Sequence, residues 1–227
     1  MFHGRSVLVV AAHPDDEVLG CGGTMRRISE SGVRVDVMFL SDGVSSRGDV
    51  VDPIKLAERN ASAVEASLIL GANHPTFHTL PDNQLDTVPL LTVCKLVEAK
   101  IAECRPDTIL THFGNDVNVD HRVVSEAVTV ACRPQSWSPV KRILFFEVPS
   151  STEWRMDNGV GTFAPNYFVD ISAHLGHKLD ALNCYASELR DWPHPRSLKA
   201  VKDLCGWRGA TVGVDAAEAF MLGREIV

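Results

Sequence analysis

The stretch "VLVVAAHPDDEVLGCGG", Val7 to Gly23, sets the most hydrophobic run of the chain directly against His13, Asp15, Asp16 and Glu17. The run from Ser6 to Ala12 is continuous and β-branched, the form of a strand covered on both faces. Three consecutive acids at its end repel one another and resist desolvation unless something positive compensates them. The question is what that positive object is.

Outward from this strand, apolar runs alternate with helical periodicity. "LGCGGTMRRISESG" reads as a glycine-rich turn and a helix closed by Gly32. Val33 to Ser41 is a second strand, and Pro53 and Gly71 bracket a second helix. "TFHTL" is a short strand and "VPLLTVCKLVEAKIAECRP" a helix. "DTILTHF" is a fourth strand, a helix starts in "DHRVVSEAVTVACRP", and "VKRILFFEVP" is a fifth strand. This order predicts an α/β fold with a Rossmann-like, mostly parallel sheet and helices on both faces. Ligands of such sheets bind at the carboxyl ends of the strands, where His13, Asp42 and "THFGNDVNVDH" all fall.

Beyond Glu147 the alternation weakens. Residues 149–168 read as a long loop rimming the site, with Trp154, Phe163 and Tyr167 available to a sugar face or to the core. Residues 172–189 read as a helix capped by Asp170 or Ser172, and residues 208–227 as a closing turn, helix and tail. No repeat or linker interrupts the chain, so one domain over residues 1–227 is expected.

Composition narrows the classes. The 227 residues carry 22 Lys and Arg against 29 Asp and Glu, a net charge of -7, which disfavours nucleic acid and anionic membrane surfaces as partners. The first apolar run is short and broken by acids, neither a secretory leader nor a membrane span. Six scattered cysteines without a Cys-x-x-Cys pair suggest small apolar residues of a reducing, cytoplasmic protein.

His13 and Asp16, three apart across Pro14, are aimed at one point by a strand-end turn, because Pro14 fixes its own φ and biases His13 to extended geometry. Imidazole and carboxylate are both zinc ligands, and His121 in "NDVNVDHR" is the best third. Two histidines and one carboxylate leave a position for water, the pattern of a catalytic site. Asp15 is then the candidate general base, and Glu17 faces the helix start. The competing reading of His-Pro-Asp-Asp is a turn with a helix cap. His112 is either a support for a ligand or a core histidine, and His174 and His177 form a rival pair without a local carboxylate.

These residues carry a resemblance. "AAHPDDEVLGCGGT" resembles the signature of the PIG-L/LmbE-like deacetylases, zinc-dependent enzymes that remove acetyl groups from N-acetylglucosamine-type sugars. "RNASAVEASLILG", "NDVNVDHR" and "WRGATVGVDAAEAF" resemble further motifs of that family. The resemblance implies one Zn2+ per chain on His13, Asp16 and His121, with Asp15 as base. It implies substrate contacts at Arg59 and Asp82, and a small-molecule N-acetylated sugar as partner. It departs at Asn118, where many members have the first histidine of His-Pro-Asp-His. Asn118 retains a hydrogen-bond donor for an oxyanion but cannot be a general acid, and Asp120 is expected to orient neighbouring groups. That departure tilts the expected substrate toward polysaccharide or secondary-metabolite chemistry. No integral membrane association is expected, and a homo-oligomer stays open. The rival readings are a metal-dependent hydrolase of another amide or a carbamoyl bond, and a non-catalytic sugar-binding relative. A nucleotide-binding domain is prompted only by "GCGGT", whose adjacent acids would repel phosphate.

Overall fold

The computed structural model describes residues 6–47, 52–156 and 161–227. β1 (Ser6–Ala11) is followed by α1 (Asp16–Glu30), β2 (Arg34–Ser41), α2 (Pro53–Leu70), β3 (Thr76–Leu80), α3 (Leu90–Cys104), β4 (Thr108–His112), α4 (Val119–Ala131) and β5 (Arg142–Phe146). The second half adds β6 (Tyr167–Asp170), α5 (Leu175–Asn183), α6 (Leu198–Ala210) and β7 (Ala217–Glu225). One seven-stranded sheet runs in the order β3-β2-β1-β4-β5-β7-β6. Its first five strands are parallel, and β7 joins antiparallel between β5 and β6.

The strand order reverses between β1 and β4, the crevice where open α/β sheets hold their ligands. Val7, Val9 and Ala11 pack with residues of α1, α2, α5 and α6 on one face. Leu8, Val10 and Ala12 pack with residues of α3 and α4 on the other, so β1 is covered on both sides as its composition requires.

Several readings of the sequence need correction. The glycine-rich segment is not a turn: Gly20, Gly22 and Gly23 lie inside α1, which begins at Asp16 and kinks at Cys21 (φ -147°). The glycines let this helix approach the sheet. A Cβ on Gly20 would collide with the ring of Phe146, and one on Gly23 would stand 2.7 Å from Ile171 Cδ1. The closing helix is a strand, β7, despite the helix-forming residues of "AEAF". Its ladders to β5 and β6 override that local preference. Glu218 in this strand is buried, and its carboxylate accepts from Gly23 N (2.9 Å) and Thr24 N (2.6 Å), capping the second half of α1 across the kink. Lys178 of α5 neutralises it at 2.5 Å.

The long loop 149–168 ends in β6, with residues 157–160 outside the described part. The helix expected over 172–189 spans only Leu175–Asn183, and neither Asp170 nor Ser172 caps it: Asp170 accepts from Ser172 instead. α6, unassigned from sequence, is capped by Ser197, whose Oγ accepts from Ala200 N. All six cysteines are free, and all but Cys184 are buried.

Candidate metal centre and active site

The turn after β1 has a constrained backbone. Asp15 takes φ 122°, a value non-glycine residues rarely adopt, while its carbonyl accepts from Val18 N and Leu19 N to start α1. It stands at the N-cap, yet its side chain caps nothing, so the simple cap reading fails. Glu17 holds this conformation in place. Its Oε2 accepts from Asp15 N (3.0 Å), and its Oε1 accepts from the Tyr185 hydroxyl (2.6 Å). Burial pushes the Glu17 carboxyl up to about 8, against the pull of those hydrogen bonds.

Asp16 folds back into the turn. Its Oδ2 accepts from His13 N at 2.9 Å and lies 3.2 Å from His13 Nδ1 and 3.3 Å from His121 Nε2. Burial alone would raise this carboxyl. The imidazoles of His121 and His112 beside it, and the hydrogen bond with His13, outweigh burial and hold it well below the usual range. His13, brought by β1, and His121, brought by the first turn of α4, thus meet over one carboxylate.

Two groups of buried side chains are close enough to share an ion: His13, Asp16 and His121, and His13, Asp82 and Asp120. Hydrogen bonding separates them. In the second group Asp120 Oδ1 accepts from Leu85 N and Oδ2 from Asn83 N. Asp82 accepts from Ser46 and from Asn83 Nδ2. These carboxylates have donors, as Asp16 Oδ2 has in His13 N, and they face His13 Nε2 at 2.9 and 3.1 Å, so the groups differ at their histidine nitrogens. In the first group His121 Nε2 is buried 3.3 Å from Asp16 Oδ2 and forms no hydrogen bond among the described residues. Donors held at about 2.0–2.1 Å around a tetrahedral ion stand about 3.3 Å apart, so the spacing fits shared coordination. The donor set of His13, Asp16 and His121 can hold a metal ion, and Asp120 and Asp82 face the far nitrogen of His13.

Asp15 lies beside this group on the same cavity, lined also by His13, Arg59, Asp82, Asn118 and Arg196. Its Oδ2 is 3.3 Å from Arg59 Nη2 and 3.5 Å from Arg196 Nη1. Burial pushes the Asp15 carboxyl above its ordinary value, against the lowering effect of the two guanidiniums. Arg59 is not on a solvated helix face. It is buried, pairs with Glu188 and lies 5.9 Å from the centre of the Tyr185 ring.

Asn118 caps α4, its Oδ1 accepting from Asp120 N and its Nδ2 donating to Asn83 Oδ1. His112 stacks on His121 with ring centres 4.0 Å apart, and its Nε2 accepts from Ala12 N. Burial, helped by the charge of His121, keeps it neutral, with its pKa well below the ordinary value. His174 is elsewhere, 2.7 Å from Glu30.

Sequence reasoning missed Arg196 and Glu188, which come from beyond α5, where no local pattern marks them. It also passed over Asp116, although Asp116 lies inside the quoted "NDVNVDHR". The available signal was its place on the same strand-end loop as His121. Asp116 Oδ1 lies 3.3 Å from His121 Nδ1.

The PIG-L family model, described as GlcNAc-PI de-N-acetylase, matches residues 8–132. The diacetylchitobiose deacetylase of Thermococcus kodakarensis is 28% identical over 192 residues, 81% of this chain and 70% of that protein. The 4-oxalmesaconate hydratase of Pseudomonas putida is 24% identical over 213 residues, 84% of this chain and 76% of that protein. Among solved structures, a conserved protein from Thermus thermophilus superposes with a TM-score of 0.76 at 29% identity, covering 97% of this chain and 95% of that one.

Proposed function

Because this chain belongs to the PIG-L family, matched over residues 8–132 of its 227, we propose that it is a metal-dependent N-deacetylase of an N-acetylglucosamine-type sugar, releasing acetate and a free amine. One observation carries the reading. His121 Nε2 and Asp15 Oδ2 are both buried beside His13 and both lack a hydrogen bond among the described residues. We read these two buried atoms as the places of an ion and of a water. The first fits a metal ion and the second a water to be deprotonated.

His13, Asp16 and His121 would hold the ion, taken here as one zinc per chain. When bound it supplies Lewis-acid polarisation of the acetyl carbonyl and a lowered water pKa. The remaining work falls to the protein. Asp15 Oδ2 accepts the proton of the attacking water, while Arg59 and Arg196 stabilise the carboxylate. Asn118 Nδ2 spends one hydrogen on Asn83 and has a second for the oxyanion. Asp15 then returns its proton to the departing nitrogen as the C–N bond breaks. Asp120 holds His13, and Arg59 and Asp82 meet the sugar. The mixture of amide, hydroxyl, carboxylate and guanidinium groups on the cavity wall suits a neutral, hydroxyl-rich ring. The free cysteines support a reducing, cytoplasmic setting, and no helix among the described residues is long and apolar enough to cross a membrane.

The test is incubation of zinc-loaded and chelator-stripped protein with N,N'-diacetylchitobiose and related N-acetylglucosamine conjugates, following acetate and primary amine together. Equal release of both, abolished by stripping and restored by zinc, is expected. A second reading, water addition to an unsaturated polycarboxylate, is favoured by the hydratase relative and by two arginines on one cavity. Consumption of such a substrate, with no amine released from any acetamido sugar, would replace the first reading with the second.

A further inference from the structure

Asp116 is buried on the loop between β4 and α4, and the contacts of its carboxylate serve one arrangement. Its Oδ1 accepts from Asn118 N at 2.8 Å and from the Ser151 hydroxyl, and lies 3.3 Å from His121 Nδ1. Its Oδ2 accepts from the Thr152 hydroxyl at 2.7 Å. Ser151 Oγ is itself 3.3 Å from His121 Nδ1. A carboxylate on Nδ1 selects the tautomer that carries its hydrogen there, and so turns the lone pair of Nε2 toward Asp16.

The two hydroxyls belong to the turn after β5, where Ser151 N and Thr152 N both bond back to the Val148 carbonyl. Adjacent in that turn, Ser150 Oγ accepts from Arg196 Nε at 2.7 Å, and Arg196 in turn faces Asp15. One short segment therefore touches the His121 side of the site through Asp116 and the Asp15 side through Arg196.

From this geometry we propose that Asp116 is a positioning residue acting through His121, locked by Ser151 and Thr152, so that the turn after β5 sets the metal affinity of a site it does not itself enter. The inference rests on the metal reading above, not on the identity of the substrate. Asp116→Asn keeps the volume and one acceptor. Its amide can donate to His121 Nδ1, which favours hydrogen on Nε2 and blocks that nitrogen as a ligand. Ser151→Ala/Thr152→Val leaves Asp116 in place but removes its lock.

The experiment is zinc affinity of the stripped full chain, measured by competition with a chromophoric chelator. Wild type, Asp116→Asn, Ser151→Ala/Thr152→Val and the combined variant are compared. Unfolding midpoints of the metal-free forms serve as the control for folding. Loss of a carboxylate behind a ligating histidine weakens binding about 10–100-fold, and that loss is expected for Asp116→Asn. The hydroxyl variant should lose several-fold, and adding it to Asp116→Asn should cost little more, because both act through one contact. Affinity within twofold of wild type in Asp116→Asn overturns the proposal, as does a combined loss equal to the product of the separate ones. If Asp116→Asn does not fold, the hydroxyl variant decides alone, and unchanged affinity there overturns the proposal. Absence of zinc binding in wild type overturns the metal reading and this inference together. Inactivity on sugars, with the affinity pattern intact, overturns only the substrate.

Discussion

At the scale of single residues, two adjacent aspartates meet different surroundings. Asp16 is surrounded by imidazoles, and Asp15 by guanidiniums with one oxygen left without a hydrogen bond. They are assigned different tasks on that basis, ligand and base. Asp15→Asn should therefore retain zinc while turnover falls about 10²–10⁴-fold, the usual contribution of a general base. Zinc content and rate measured on one preparation check this, and a normal rate would remove Asp15 from the role. His13, Asp15 and Asp16 were legible in the sequence because a proline-bearing turn places them by local geometry alone. Arg196 was not, since its position beside Asp15 depends on packing between segments about 180 residues apart.

Among the elements, α1 and β7 show where local reading stops. The sequence of α1 offers three glycines in four positions, which argue for a turn, yet they serve a helix pressed onto the sheet. Gly20→Ala should destabilise the protein by about 1–3 kcal/mol through overpacking against Phe146. The Phe146 ring lies 4.8 Å from that of His112, which stacks on His121, so zinc affinity should fall as well. Denaturant midpoints and a zinc titration test both effects.

For β7, Ala and Glu favour a helix, and only pairing with β5 and β6 makes a strand. Its buried Glu218 then serves α1 and Lys178 at once. Lys178→Met should cost about 3–5 kcal/mol, the scale for removing one partner of a buried pair. Glu218→Ala should cost at least as much, because it also strips Gly23 N and Thr24 N of their acceptor. Burial lowers the Lys178 pKa, but the charge and hydrogen bond of Glu218 reverse this and raise it overall. The stability it confers should be fully present below the unfolded lysine value, about 10.4, and be lost as pH rises through the folded one. Urea midpoints across that alkaline range, for wild type and Lys178→Met, give the measurement. A difference between the two that does not narrow at high pH would contradict the assignment.

For the whole molecule, the parallel half was readable because its strands are continuous apolar runs separated by well-capped helices. Its strand-end loops had to share one edge of the sheet. The antiparallel addition of β7 and β6 was not readable, since nothing local distinguishes "AEAFMLGRE" from a helix. The site follows the same division. The group of His13, Asp16 and His121 arises from the readable half, whereas Lys178, Glu218, Glu188 and Arg196, which support or flank it, come from the other. If the acids at the end of β1 gather around a metal ion, elemental analysis of the purified chain should find about one zinc per chain, and a His13→Ala/His121→Ala variant should hold none. Two proteins equally empty after incubation with divalent ions, or equally loaded, would mean that these acids hold no ion.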